Sequence, residues 1–140
     1  MKTKPLLITT AVIESATGLA LLLVPQLPVL ILIGAQFDKP AHSVVGRITG
    51  AALLALGLAS WSGAQEHTPA TTGIVSALLL YNVATVAVLA YAGIGLQLWG
   101  IGLWPAVVLH VVMASWCLSC LQPSGLNSRA ALTGVPRQRT

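Results

Sequence analysis

TTGIVSALLLYNVATVAVLAYA, residues 71–92, is the stretch whose reading decides the fold. Its 22 residues include no Asp, Glu, Lys or Arg, and Gly93 ends the run. A helix rises 1.5 Å per residue, so this stretch would extend about 33 Å. The hydrocarbon core of a bilayer is about 30 Å thick and takes roughly 20 apolar residues to cross. In lipid a spanning segment must satisfy its own backbone polar groups, which a helix does internally. The stretch therefore reads as a transmembrane helix.

Three further stretches read the same way. One runs from about Leu6 to Val24 and is stopped by Pro25 and Pro28. One runs from about Val44 to Trp61 and ends at Ser62-Gly63. The last runs from about Trp99 to Leu121 and ends before Pro123. The expected fold is all-α: a four-helix transmembrane bundle over residues 1–123, with helices at about 6–24, 44–62, 71–92 and 99–121. Lys2 and Lys4 ahead of an apolar run also occur in cleaved signal peptides. Here the run is long, contains Glu14 and lacks a small-x-small site before the prolines, so it reads as a retained helix.

Composition agrees. The chain is 56% hydrophobic and 7% charged, with a mean hydropathy of +0.86. Soluble domains carry about 25% charged residues, and so few charges cannot cover a water-facing surface. Of the 140 residues, the basic ones cluster toward the chain ends. That is a topology signal rather than a nucleic-acid surface, and no nucleic-acid partner is expected.

Between the first two helices lies Pro25 to His42. Its apolar middle, Leu27 to Gly34, is too short to span. It is expected to lie in the interface or over the mouth of the bundle. The tail, residues 124–140, holds Gly, Ser, Asn, Pro and Arg, and reads as flexible or ordered only by a partner. Lys2, Lys4, Arg129, Arg137 and Arg139 flank the termini, against Lys39 and Arg47 on the other side. The excess places both termini in the cytoplasm, and a bacterial inner membrane is the default expectation. Tyr91, Trp99 and Trp104 then fall near the outer interface, Trp61 and Trp116 near the inner one.

Depth singles out the polar residues. Glu14, Asn82 and His110 each fall near the midpoint of a different helix and so share roughly one level. A charged side chain there costs about 2.5–3.5 kcal/mol on insertion scales. Such groups face the bundle interior and find partners. Helix periodicity supports this. Thr10, Glu14, Thr17 and Gly18 share one stripe. Ala106, His110, Ala114 and Cys117 share another. Asn82 and Thr85 share a face, beside Gly73, Ala77, Tyr81 and Ala84. Gly46, Gly50 and Gly57 make a small-residue face with the spacing used for close packing in membranes. Each helix thus has a face suited to inward packing.

Each of these residues has a structural and a chemical reading. Glu14 can staple helices through hydrogen bonds to Asn82, His110 or Thr residues, or it can carry a proton or bind a ligand. His110 can be a neutral imidazole bonded to a neighbour, a proton relay with Glu14, or a metal or haem ligand. One midplane His with one Glu falls short of the three protein ligands a catalytic zinc needs, so no metal site is assigned, and the cofactors are left unknown. Arg47 can snorkel to headgroups and lipid phosphate, or reach toward Glu14 or an anionic ligand. Tyr81 needs an internal partner for its hydroxyl. Cys117 and Cys120 form C-x-x-C on one helix face, a redox or metal signature in the right context. Near a reducing compartment and without a second pair, two small packing residues is the plainer reading.

The order Glu14-Ser-Ala-Thr-Gly18 with Pro25, Arg47-Ile-Thr-Gly50, Tyr81-Asn82 and Trp104-Pro105 with His110 resembles a set of small uncharacterised four-helix bacterial inner-membrane proteins. Size and topology are also similar to the DoxX-like group, some of which partner redox enzymes. The latter likeness is at the level of the fold and implies no active site.

Three functions are therefore expected, in this order. The first is an accessory or assembly subunit of a larger membrane complex. The second is a small oligomeric proton-coupled transporter or ligand binder. The third is a thiol-redox or metal-dependent membrane enzyme. The expected partners are membrane lipids and other membrane subunits or further copies of the chain.

Overall fold

The computed structural model describes residues 3–65 and 69–122. The expectations for Lys2, for the middle of the second connecting loop and for the tail from residue 124 lie outside the described residues.

Five helices make up the described chain: α1 (Thr3–Leu23), α2 (Gln26–Ile33), α3 (Pro40–Gln65), α4 (Pro69–Ile94) and α5 (Leu103–Leu121). All but α2 are long and apolar enough to cross a bilayer. The protein is a multi-pass membrane protein, and an even number of crossings puts both ends of the bundle on one side. Pro40 and Pro69 each occupy the first position of a helix, where a missing N–H costs nothing and φ is preset. They carry α3 and α4 a few residues further toward the N-terminus than hydropathy alone indicates. At the other end of the chain, Gln122 precedes Pro123 and turns to an extended backbone, φ −67° and ψ 126°, the conformation a following proline favours. Trp61, Tyr91 and Trp99 are exposed near helix ends, as interfacial aromatics are.

The helices pack as two antiparallel pairs, α1 with α3 and α4 with α5. In the first pair the glycines expected to pack do so. A Cβ added to Gly50 would stand 2.6 Å from the Gly18 carbonyl oxygen, and one on Gly18 would stand 2.7 Å from that of Gly50. Gly46 meets Pro25, and Gly57 meets Ser15 and Ala11. The two backbones thus touch along most of their length.

Three ties join the pairs. At the end that carries the N-terminus, Leu6 and Leu7 of α1, Ala64 of α3, Val75 and Leu78 of α4, and Met113 and Cys117 of α5 form one apolar cluster. Midway, Tyr81 of α4 bonds Glu14 of α1. At the far end α2 docks on the loop between α4 and α5, where the Gly102 N–H donates to the Ile31 carbonyl at 2.8 Å. Gly34 caps α2 with φ +70°, a left-handed turn that suits glycine.

Two expectations are corrected. The fourth spanning helix begins at Leu103 rather than near Trp99. Trp99 to Gly102 instead form the seat for α2: a Cβ on Gly100 would collide with the Ile31 carbonyl oxygen and the Leu32 backbone. That backbone contact fixes the loop and delays the helix. Of the small-residue face of α4, only Tyr81 turns inward, toward Glu14. Gly73, Ala77 and Ala84 are exposed, and a Cβ on Gly73 would meet nothing within 4 Å. The neighbouring face bearing Leu78 and Asn82 is buried in its place, because it carries the larger apolar and hydrogen-bonding groups.

Candidate functional site

Glu14 lies on the α1 face that also buries Thr10, Ala11, Gly18 and Leu21. It is 5% exposed. Gly18 one turn away lets α3 approach closely, so Glu14 is walled in on that side and turns toward α4. There the Tyr81 hydroxyl donates to Glu14 Oε2 at 3.2 Å. Tyr81 in turn accepts at its backbone carbonyl from the Thr85 hydroxyl at 2.8 Å, one turn along α4.

Asn82 follows Tyr81 and points to the other side of α4, toward α5. Its Nδ2 donates to the Leu78 carbonyl at 2.7 Å. That bond leaves Oδ1 turned to His110 Nδ1, 2.8 Å away. An amide oxygen only accepts, so the imidazole donates from Nδ1. In the neutral ring Nε2 is then left with its lone pair. The His110 ring also meets Tyr81 edge to face, with centroids 5.7 Å apart, a favourable aromatic geometry. The result is one continuous constellation: Glu14, Tyr81, His110, Asn82, drawn from α1, α4 and α5.

The shared depth seen in the sequence is thus a real cluster, although the pairing differs from the expectation. Glu14 bonds Tyr81 rather than Asn82 or His110, and Asn82 and His110 bond each other. Thr10, one turn before Glu14, is 2% exposed, and its hydroxyl has no partner among the described residues. Thr17 departs from the stripe and is exposed.

Arg47 stands apart. Gly46 meets Pro25, which puts Arg47 level with the end of α1 near Leu23. Nine residues of helix separate that level from Glu14, about 13 Å at 1.5 Å per residue. Arg47 is exposed, and among the described residues it makes no ion pair with Glu14. Its position is that of a side chain reaching headgroups.

Cys117 is fully buried among Leu6, Leu7, Leu78 and Met113, and Cys120 packs against the same cluster. Both thiols are free. They sit in apolar packing. Among the described residues no three His, Cys, Asp or Glu side chains converge. A different polar pair escaped the sequence reading: His42 Nδ1 lies 2.9 Å from Asp38 Oδ1, and the His42 ring meets Phe37 at 5.7 Å. The i, i+4 spacing of Asp38 and His42 was the available signal.

No family model, no curated protein and no solved structure matches this chain. The likeness to small four-helix inner-membrane proteins rests on the motifs quoted above.

Proposed function

We propose that the chain is an accessory or assembly subunit of a larger complex in a bacterial inner membrane, with both termini cytoplasmic. The observation that carries this reading is the outward face of α4. Gly73, Ala77, Ala84 and Ala87 recur at helical spacing and are all exposed, with the exposed Leu80 standing among them. Association in lipid has no hydrophobic drive and depends on small residues that let backbones approach. The small-residue face of α3 is filled by α1, whereas among the described residues no helix covers the corresponding face of α4. A transmembrane helix of another subunit fits that role. The excess of Lys and Arg at the termini supports the orientation.

The test is native mass spectrometry of the protein extracted gently from its own membrane. The wild type should run as a complex of defined mass. Ala77→Leu with Ala84→Leu should release it as the single chain. A wild type that runs alone at its own mass would remove the proposal.

A second reading is a proton-coupled or ligand-binding role for the central cluster. The free Nε2 of His110 and the buried Glu14 carboxyl favour it, since intramembrane ionisable residues mark function more often than not. Glu14→Gln retains an acceptor for Tyr81 and removes the titrating group. Under this reading the variant folds normally and loses ligand or proton coupling. Under the subunit reading it retains its complex and its phenotype.

A further inference from the structure

α2 is an apolar helix with no buried residue, yet it is fixed at both ends. Pro25 at its start lies on Gly46, and Ile31 and Leu32 near its finish lie on Gly100. Held in this way, it stands off from α1 and α3 and roofs a groove of about 920 Å³. That size falls within the roughly 300–1,000 Å³ of small-molecule sites. The groove runs along α3 from His42 to Thr49, about 10 Å at 1.5 Å per residue. Ala16, Ala20 and Leu21 form its α1 wall, and Leu27, Ile31 and Leu32 its roof. Of the two hydroxyls on the wall, Thr17 and Thr49, that of Thr49 is engaged with the Val45 carbonyl at 3.0 Å.

An apolar groove at this depth does not hold water, which needs two to four polar partners. Left empty, its walls would lose their dispersion contacts. The bilayer supplies hydrocarbon chains at that level. The mouth of the groove carries Gln36, Phe37 and His42, with Asp38 and Lys39 beside them. Asp38 is paired to His42, and Lys39 is exposed with no ion pair among the described residues. The Lys39 ammonium is the donor at the mouth that a headgroup phosphate can meet.

We propose that this groove is a lipid site holding one acyl chain of an anionic phospholipid, with the headgroup phosphate at Lys39. The site lies on α1, α2 and α3, away from the outward face of α4, so it stands or falls independently of the subunit reading.

The test is native mass spectrometry of the full chain after exchange into an equimolar mixture of phosphatidylglycerol and phosphatidylethanolamine. One phospholipid should stay bound per chain, with phosphatidylglycerol enriched several-fold. Ala20→Phe fills the groove from an exposed position and should cut retention at least tenfold. Ala16→Leu gives the same readout if that variant fails to fold. Lys39→Gln should keep the lipid and lose the preference for phosphatidylglycerol. Retention undiminished in a folded groove-filling variant overturns the site. So does a wild type that retains no phospholipid, or one that instead retains a neutral isoprenoid or a second copy of the chain. An unchanged preference in Lys39→Gln overturns the headgroup assignment.

Discussion

The two helix pairs of this bundle are held by different means. α1 and α3 meet backbone to backbone, through Gly18 against Gly50 and Gly57 against Ser15. α4 and α5 meet through side chains: Leu103 over Gly93, Asn82 bonded to His110, and Cys117 and Met113 beside Leu78. Both α3 and α4 carry a row of small residues, yet among the described residues only that of α3 is occupied. Lipid tails are as apolar as leucine, so small residues stabilise a bundle only where another backbone comes close enough to gain dispersion and weak Cα–H···O contacts. A row of small residues therefore permits a helix to approach, without saying which helix or whether one does. In α3 the partner is α1; the row on α4 is exposed among the described residues.

The sharpest way to break the first pair is Gly50→Leu. The new side chain would meet the Gly18 carbonyl oxygen and the Leu22 amide nitrogen, within 2.6–2.7 Å at its first carbon. These are backbone atoms that no rotamer change can move aside. Overpacking typically costs 1–3 kcal/mol, and a backbone obstacle puts this variant at about 3 kcal/mol or beyond. Thermal unfolding in detergent should show a large drop in midpoint or no folded protein. A midpoint equal to that of the wild type would mean that α1 and α3 are not in contact here.

The tie between the pairs should matter less. Tyr81→Phe removes the hydrogen bond to Glu14 and leaves the ring against His110. Interhelical hydrogen bonds in membranes average about 0.6 kcal/mol and reach about 1.7. A double-mutant cycle of Tyr81→Phe with Glu14→Ala isolates the pair. The expected coupling is about 0.5–1.5 kcal/mol in favour of the native pair. Zero coupling would show that the two side chains do not bond, and the constellation would split into separate halves.

How much of this was legible in the sequence follows from the range of the forces involved. The spanning helices were legible because hydropathy is a local property, and residues 71–92 alone are sufficient. The common level of Glu14, Asn82 and His110 was legible because helix rise is regular. The pairing was not, because it depends on how α4 is rotated about its axis. A rotation of one residue decides whether Tyr81 or Asn82 faces α1. The start of α5 was missed for a similar reason. Trp99 and Gly100 read as helix by hydropathy, but α2, far away in sequence, claims their backbone. Two adjoining faces of α4 suit inward packing by sequence, and only the one with Asn82 is buried.

That last difference gives the smallest expected effect on the isolated chain and the clearest contrast. Gly73 stands in α4 with nothing near its would-be Cβ. Gly73→Leu adds no clash, and replacing a glycine within a helix by a better helix former is worth up to about 1 kcal/mol. The unfolding midpoint of the purified chain should hold or rise slightly, in opposition to Gly50→Leu. If α4 receives a helix from another subunit, the same substitution should weaken the complex in the membrane, because the partner backbone can no longer approach. Stability retained with assembly lost would show that the α4 glycine serves an intermolecular contact as the α3 glycines serve an intramolecular one. Stability and assembly both retained would leave that face to the lipid.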